Sequence, residues 1–153
     1  MDTTGTQDSG RPESGQRHRN DPEVIRRLLG TPRRWAVVGL SSNRRRVAYG
    51  IASYLQGLGM TIVPVHPRAE TVHGEQGYAG LSQVPGPIDV VDCFVRSELV
   101  GDVVDQAVAV GAKAVWLQLG VVDEAAAARA KAAGLDVVMD TCPAIEAPRL
   151  GLA

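Results

Sequence analysis

From residue 34 to residue 139 the hydrophobic positions fall into two alternating kinds of run. Short stretches that are apolar on nearly every position, at Trp35 to Gly39, Thr61 to Val65, Ile88 to Phe94, Ala114 to Leu119 and Asp136 to Met139, are rich in valine and predict strands buried on both faces. Between them, apolar residues recur at three- and four-residue spacing over Val47 to Leu58, Glu98 to Val110 and Asp123 to Ala133, which predicts helices. Gly111 and Gly134 follow two of these helices and suit a left-handed C-cap. The repeated order of strand and helix predicts an α/β, Rossmann-like, doubly wound and mainly parallel five-stranded sheet with flanking helices.

Two segments depart from the alternation. Asn20 or Asp21 followed by Pro22 and Glu23 reads as a cap and a first turn, and Val24, Ile25, Leu28 and Leu29 form a short apolar face that ends at Gly30. That helix is expected to pack on the domain. The stretch from Arg68 to Pro87 carries the turn signals HGEQGYAG and VPGP, with a short helix expected only near Leu81 to Val84, so the second crossover is mostly loop.

Residues 1 to 19 hold no large aliphatic residue after Met1 and are rich in Gly, Ser, Thr, Gln and charge, so a disordered tail is expected there and a single domain over residues 20–153. The 153 residues, 44% of them hydrophobic, suffice for one core and not for two. With a formal net charge of −1, nothing global points to nucleic acid or to an anionic membrane. No apolar run approaches a bilayer span, and the N-terminus lacks the hydrophobic centre of a secretion signal, so a cytoplasmic protein is expected. Cys93 and Cys142 have no metal-ligand spacing, and Cys93 falls inside an apolar run, which argues against a disulfide.

The chemistry concentrates after the first strand. An apolar run ends at Gly39, a polar turn carries Arg44, Arg45 and Arg46, and a helix follows, an order that presents backbone N–H groups and a helix dipole to phosphate. Nine Lys or Arg lie from Trp35 onward, and five of them, Arg44, Arg45, Arg46, Arg68 and Arg96, stand just past the first three strands. Ligands bind at that rim in open α/β sheets, and arginine pairs bidentately with phosphate, so a polyanionic small molecule is expected. NAD fits poorly. The first turn is GLSSNR, with Ser41 where the dinucleotide fingerprint has its second glycine, and the second strand ends VPVHPR where a ribose-binding acid would stand. Pro64, His66 and Pro67 offer a rigid rim on which an adenine ring can lie.

The segments VVGLS at 37–41, VAYGIASYL at 47–55, VPVHPR at 63–68, HGEQGYAGLSQVP at 73–85, IDVVDCFVRSE at 88–98, VWLQLGVVDEAAA at 115–127 and GLDVVMDTCPAIE at 134–146 together resemble the small stand-alone CoA-binding domain proteins of the YccU-like type. These are relatives of the CoA-binding domain in the succinyl-CoA synthetase alpha subunit and in ADP-forming acyl-CoA synthetases. The resemblance spans about Arg33 to Leu150 and implies coenzyme A as the ligand. By position it implies Gly39, Ser41, Asn43 and Arg44 near the phosphates, Pro64, His66 and Pro67 near adenine, Phe94 and Arg96 along the nucleotide, and Gln118, Gly120 and Cys142 on the pantetheine side. Where relatives often carry Pro-Ser-Tyr, this chain has Val47, Ala48 and Tyr49; the hydroxyl is missing at Ala48, Arg45 and Arg46 are candidates to replace it, and Tyr49 joins the candidate set.

No catalytic constellation stands out. His66 and His73 are loop histidines without a nucleophile nearby in sequence, and Asp89 and Asp92, three apart on a strand, point to opposite faces and form no acid and base pair. No metal site is expected. The leading reading is a module that binds CoA or acyl-CoA without chemistry of its own. An NAD(P)-binding regulator or reductase, and a CoA-binding subunit that gains its active site from a partner, are the alternatives. Cys142, ahead of an expected helix after the last strand, is a candidate for a thiol with a lowered pKa.

Overall fold

A computed structural model describes residues 17–152. The expected disordered tail lies, through residue 16, outside them. The chain runs α1 (Pro22–Gly30), β1 (Arg34–Val38), α2 (Val47–Gly57), β2 (Thr61–Val65), a 3-10 turn (Leu81–Gln83), β3 (Val90–Cys93), α3 (Ser97–Ala109), β4 (Ala114–Leu117), α4 (Glu124–Ala132), β5 (Asp136–Met139) and α5 (Pro143–Arg149). All five strands are parallel, in the order β2-β1-β3-β4-β5.

The strands form where the sequence is apolar on both faces because both faces are covered. Ala36, Val91, Val115 and Val137 pack under α3 and α4, while Trp35, Val37, Val90, Trp116 and Val138 pack under α1, α2 and α5. Each fully buried aliphatic side chain is worth roughly 1.5–3 kcal/mol of transfer free energy. Trp35 and Trp116 meet across the second layer with ring centroids 5.6 Å apart. The third strand is shorter than the apolar run suggested: Ile88 is buried, but pairing begins at Val90, and Asp89 instead takes the Arg34 backbone N–H at 2.8 Å. The fourth strand likewise stops at Leu117, two residues early, because Gln118 turns into the next loop and accepts the Val121 N–H at 2.8 Å.

The expected α1 is present. Its cap is Asp21, whose carboxylate accepts the Glu23 N–H. Asn20 does something else. Its side-chain amide donates to Met139 O and accepts from Met139 N, both at 2.9 Å, and so pairs with the outer edge of β5 as a neighbouring strand would. At the opposite edge, Tyr78 from the loop after β2 bonds Pro64 O and His66 N, and Pro64 places its missing N–H on that edge.

Chain order steps from β1 out to β2 and then returns to the other side of β1 for β3, so the winding reverses between β1 and β3. The crevice at the carboxyl ends of these two strands is where such a sheet leaves room for a ligand.

Candidate ligand site

Gly39 is the first residue past β1, at φ +100°, with its N–H on Val65 O at 2.8 Å. A Cβ there would lie 2.6 Å from Phe94 O, so only glycine lets the two loops close at the reversal point. The turn that follows is held by its own polar side chains. Ser41 Oγ accepts the Asn43 N–H, Asn43 Oδ1 accepts the Arg45 N–H at 3.0 Å, and Glu70 Oε1 accepts the Ser42 N–H at 3.1 Å. That last bond keeps the Glu70 carboxyl below its usual pKa. Arg46 is the N-cap of α2 and makes no side-chain cap bond, and no acidic residue stands in the first turn, so the helix start offers N–H groups and a positive dipole end.

A crevice of about 660 Å³ opens here. Gly39, Ser41, Asn43 and Arg46 form one wall, His66, Pro67 and Arg68 a second, and Phe94 and Arg96 a third. His66 Nδ1 accepts the Arg68 N–H at 3.2 Å, which assigns that nitrogen as unprotonated. A second cavity of about 400 Å³ shares Gly39, Arg46 and Phe94 with the first and runs between α2 and α5. Its walls are mostly apolar, with Val47, Ala48, Leu119, Val121 and Ile145, and its polar side chains besides Arg46 are Gln118 and Cys142.

Nine of the sixteen expected site residues therefore line the crevice, and Gln118 and Cys142 join three of these nine in the second cavity. The remaining five lie elsewhere. Arg44 and Arg45 are exposed outside both cavities, because the Asn43 turn directs Arg46 rather than its neighbours inward. Pro64 is buried within β2. Tyr49 packs against His73, ring centroids 4.2 Å apart and planes tilted by 50°, and its carbonyl is 2.8 Å from His73 Nε2. Gly120 sits in the loop after β4, where the Asp140 carboxylate accepts its N–H at 2.7 Å.

Cys142 is the N-cap of α5, as its place in the sequence suggested, but its thiol pKa is raised rather than lowered. Burial raises it more than the Ala144 and Ile145 N–H groups lower it, with Asp92 nearby adding to the rise. Cys93 is fully buried, and burial likewise pushes its thiol up.

Asp92 is not among the expected site residues and lines neither cavity, but it bonds Gln118, which lines the second. It is completely buried on β3, its Oδ1 accepts from Gln118 Nε2 at 2.6 Å, and its Oδ2 has no partner among the described residues. Burial pushes its pKa up to about 8 against the opposing pull of the Gln118 bond. The signal was present as a single acid inside an otherwise apolar run, VVDCF. Among the described residues, no group of three or more His, Cys, Asp or Glu is placed to hold a metal ion, and no helix is long and apolar enough to cross a membrane.

Comparison with known proteins agrees with this geometry. The family model described as a CoA binding domain matches residues 33–148. The protein YneT of Bacillus subtilis is 35% identical over 118 residues, which is 77% of this chain and 87% of that one. A hypothetical protein from Pyrococcus horikoshii OT3 superposes with a TM-score of 0.80 at 34% identity, over 88% of this chain and 98% of the other. The dinucleotide-forming acetyl-coenzyme A synthetase 1 of Ca. Korarchaeum cryptofilum, solved with phosphate and ADP, matches 74% of this chain to 26% of its own length, with a TM-score of 0.64 at 26% identity.

Proposed function

We propose, from the premise that the chain belongs to the CoA binding domain family, that it binds coenzyme A as a module without catalytic machinery of its own. The observation that carries this reading is the junction of two unlike cavities. A crevice bearing Arg46, Arg68 and Arg96 adjoins an apolar one at Gly39 and Phe94. Coenzyme A has the matching halves, a nucleotide with a pyrophosphate and a 3′-phosphate, and a largely uncharged arm.

The residues present fit that ligand. The glycine-floored turn from Gly39 to Arg46 and the start of α2 supply N–H groups for the pyrophosphate. Arg46, Arg68 and Arg96 supply charge for the phosphates, each contact worth about 1.5–3 kcal/mol. His66 and Pro67 flank the place for adenine, and Gln118 and Cys142 lie toward the arm. The cytoplasm is the matching compartment.

Calorimetric titration with CoA, NAD+ and NADH tests the reading. Saturable binding of CoA with no heat from either dinucleotide is the expected result, and binding of NADH as tight as CoA would overturn it. A second reading rests on the synthetase match: the chain corresponds to about a quarter of that enzyme, so it also suits the CoA-binding subunit of a larger acyl-CoA enzyme. Co-purification with an ATP-grasp protein would favour it.

A further inference from the structure

We infer that Asp92 is a positioning residue that acts through Gln118, turning the Gln118 amide so that its Oε1 faces the second cavity as an acceptor for an amide N–H of the ligand's pantetheine arm. This rests on the reading of the ligand as CoA.

Asp92 lies in the middle of the sheet, paired in register with Val37 on one side and Trp116 on the other, in a layer that is otherwise aliphatic and aromatic. A carboxyl group gains nothing from such surroundings. Valine or leucine would pack there without the cost of removing a polar group from water. Among the described residues its carboxyl group has one hydrogen bond, from Gln118 Nε2 at 2.6 Å. That bond uses the nitrogen end of an amide that is only 4% exposed, and it is the one side-chain hydrogen bond Gln118 makes among the described residues, on a side chain that lines the cavity.

Among the side chains of the cavity the Gln118 oxygen is the one good acceptor. The side chains of Val47, Ala48, Leu119, Val121 and Ile145 accept no hydrogen bond, that of Arg46 only donates, and the Cys142 thiol is a weak acceptor. A pantetheine arm carries two secondary amides, and an amide N–H that enters apolar walls unpaired costs more than the bond it lost in water. Reversing the Gln118 amide would put its oxygen against Asp92 and its nitrogen against the ligand. Asp92 opposes the reversal where Oδ1 accepts, as it does when the group is ionised or carries its proton on Oδ2; a proton on Oδ1 would instead donate to a reversed Gln118. Burial raises its pKa to about 8, so the orientation is firmest above that pH, where the group is ionised and can only accept.

Affinities for CoA and for 3′-phospho-ADP, its nucleotide half, test this in the wild type and in Gln118→Leu, Asp92→Leu and Asp92→Asn. CoA affinity is expected to fall about tenfold in both leucine variants, the weight of one hydrogen bond, while 3′-phospho-ADP affinity stays within about twofold. The double leucine variant should lose no more than either single, and Asp92→Asn, whose oxygen can still accept, should recover most of the loss. Asp92→Ala gives the same comparison if Asp92→Leu does not fold. Wild-type CoA affinity retained in Asp92→Leu, or equal loss of both ligands, would overturn the inference and reduce Asp92 to a part of the fold. A wild type that binds the two ligands equally would overturn it while leaving the CoA reading intact. A wild type that binds neither would overturn both.

Discussion

Phe94 O stands 2.6 Å from where a Cβ on residue 39 would fall, so the loops after β1 and β3 can meet only because residue 39 is glycine. Gly39→Ala should cost roughly 1–3 kcal/mol for its φ of +100° and more for pushing Phe94 aside, and should abolish CoA binding. Gly134→Ala is the control. It has φ +92° but meets nothing within 4 Å, so it should show the strain alone and bind normally. Urea denaturation beside titration checks both.

The arginines should divide by position rather than by number. Arg46→Ala and Arg96→Ala are each expected to weaken CoA binding by at least about tenfold, since each removes a charge-assisted contact of about 1.5–3 kcal/mol. Alanine at both Arg44 and Arg45 should change affinity by less than the loss of one such contact. In all of these, melting temperature should stay within about 2 °C, because exposed side chains contribute little to folding.

Asp92 makes stability depend on pH with a definite sign. Its folded pKa of about 8 is above that of an unfolded aspartate, so the folded state holds the extra proton, and stability falls as pH rises from about 4 to about 8. The contribution is complete below the unfolded pKa and lost once pH passes the folded one. Its slope approaches about 1.4 kcal/mol per pH unit at most. Asp92→Asn should remove that slope, which unfolding curves across the window would reveal; equal slopes in variant and wild type would contradict the assignment.

Cys142 should react slowly with iodoacetamide at neutral pH, more slowly than free cysteine, because burial holds its thiol protonated. Cys93 should not react until the protein unfolds. Since Cys142 lines the second cavity, CoA should slow its modification further. Mass mapping over time distinguishes the two sites.

Much of this was written in local pattern. The strands were legible because parallel strands covered on both faces are continuous apolar runs, and Gly39 followed by arginines marked the turn at the crevice. What sequence could not supply was direction and depth. Arg44, Arg45 and Arg46 are neighbours in the chain, yet the Asn43 turn sends one into the crevice and leaves two outside. Asp89 and Asp92 look alike as acids near a strand, but pairing starts at Val90, which puts Asp89 on the Arg34 N–H and Asp92 in the core. The helix start at Cys142 was foreseeable. Burial, which reverses its effect on the thiol, comes from the packing of residues distant in sequence.

Asn20 meets β5 with one side chain where other folds would spend a sixth strand. An amide carries one donor and one acceptor, the same pair that a strand residue presents, and here it occupies both free groups of Met139. The edge is thus sealed by the segment leading into α1 rather than by the sheet itself. Removing residues 1–20 alone would leave α1 and all five strands in place and still free both outward groups of Met139, a point on β5 at which a second molecule can add.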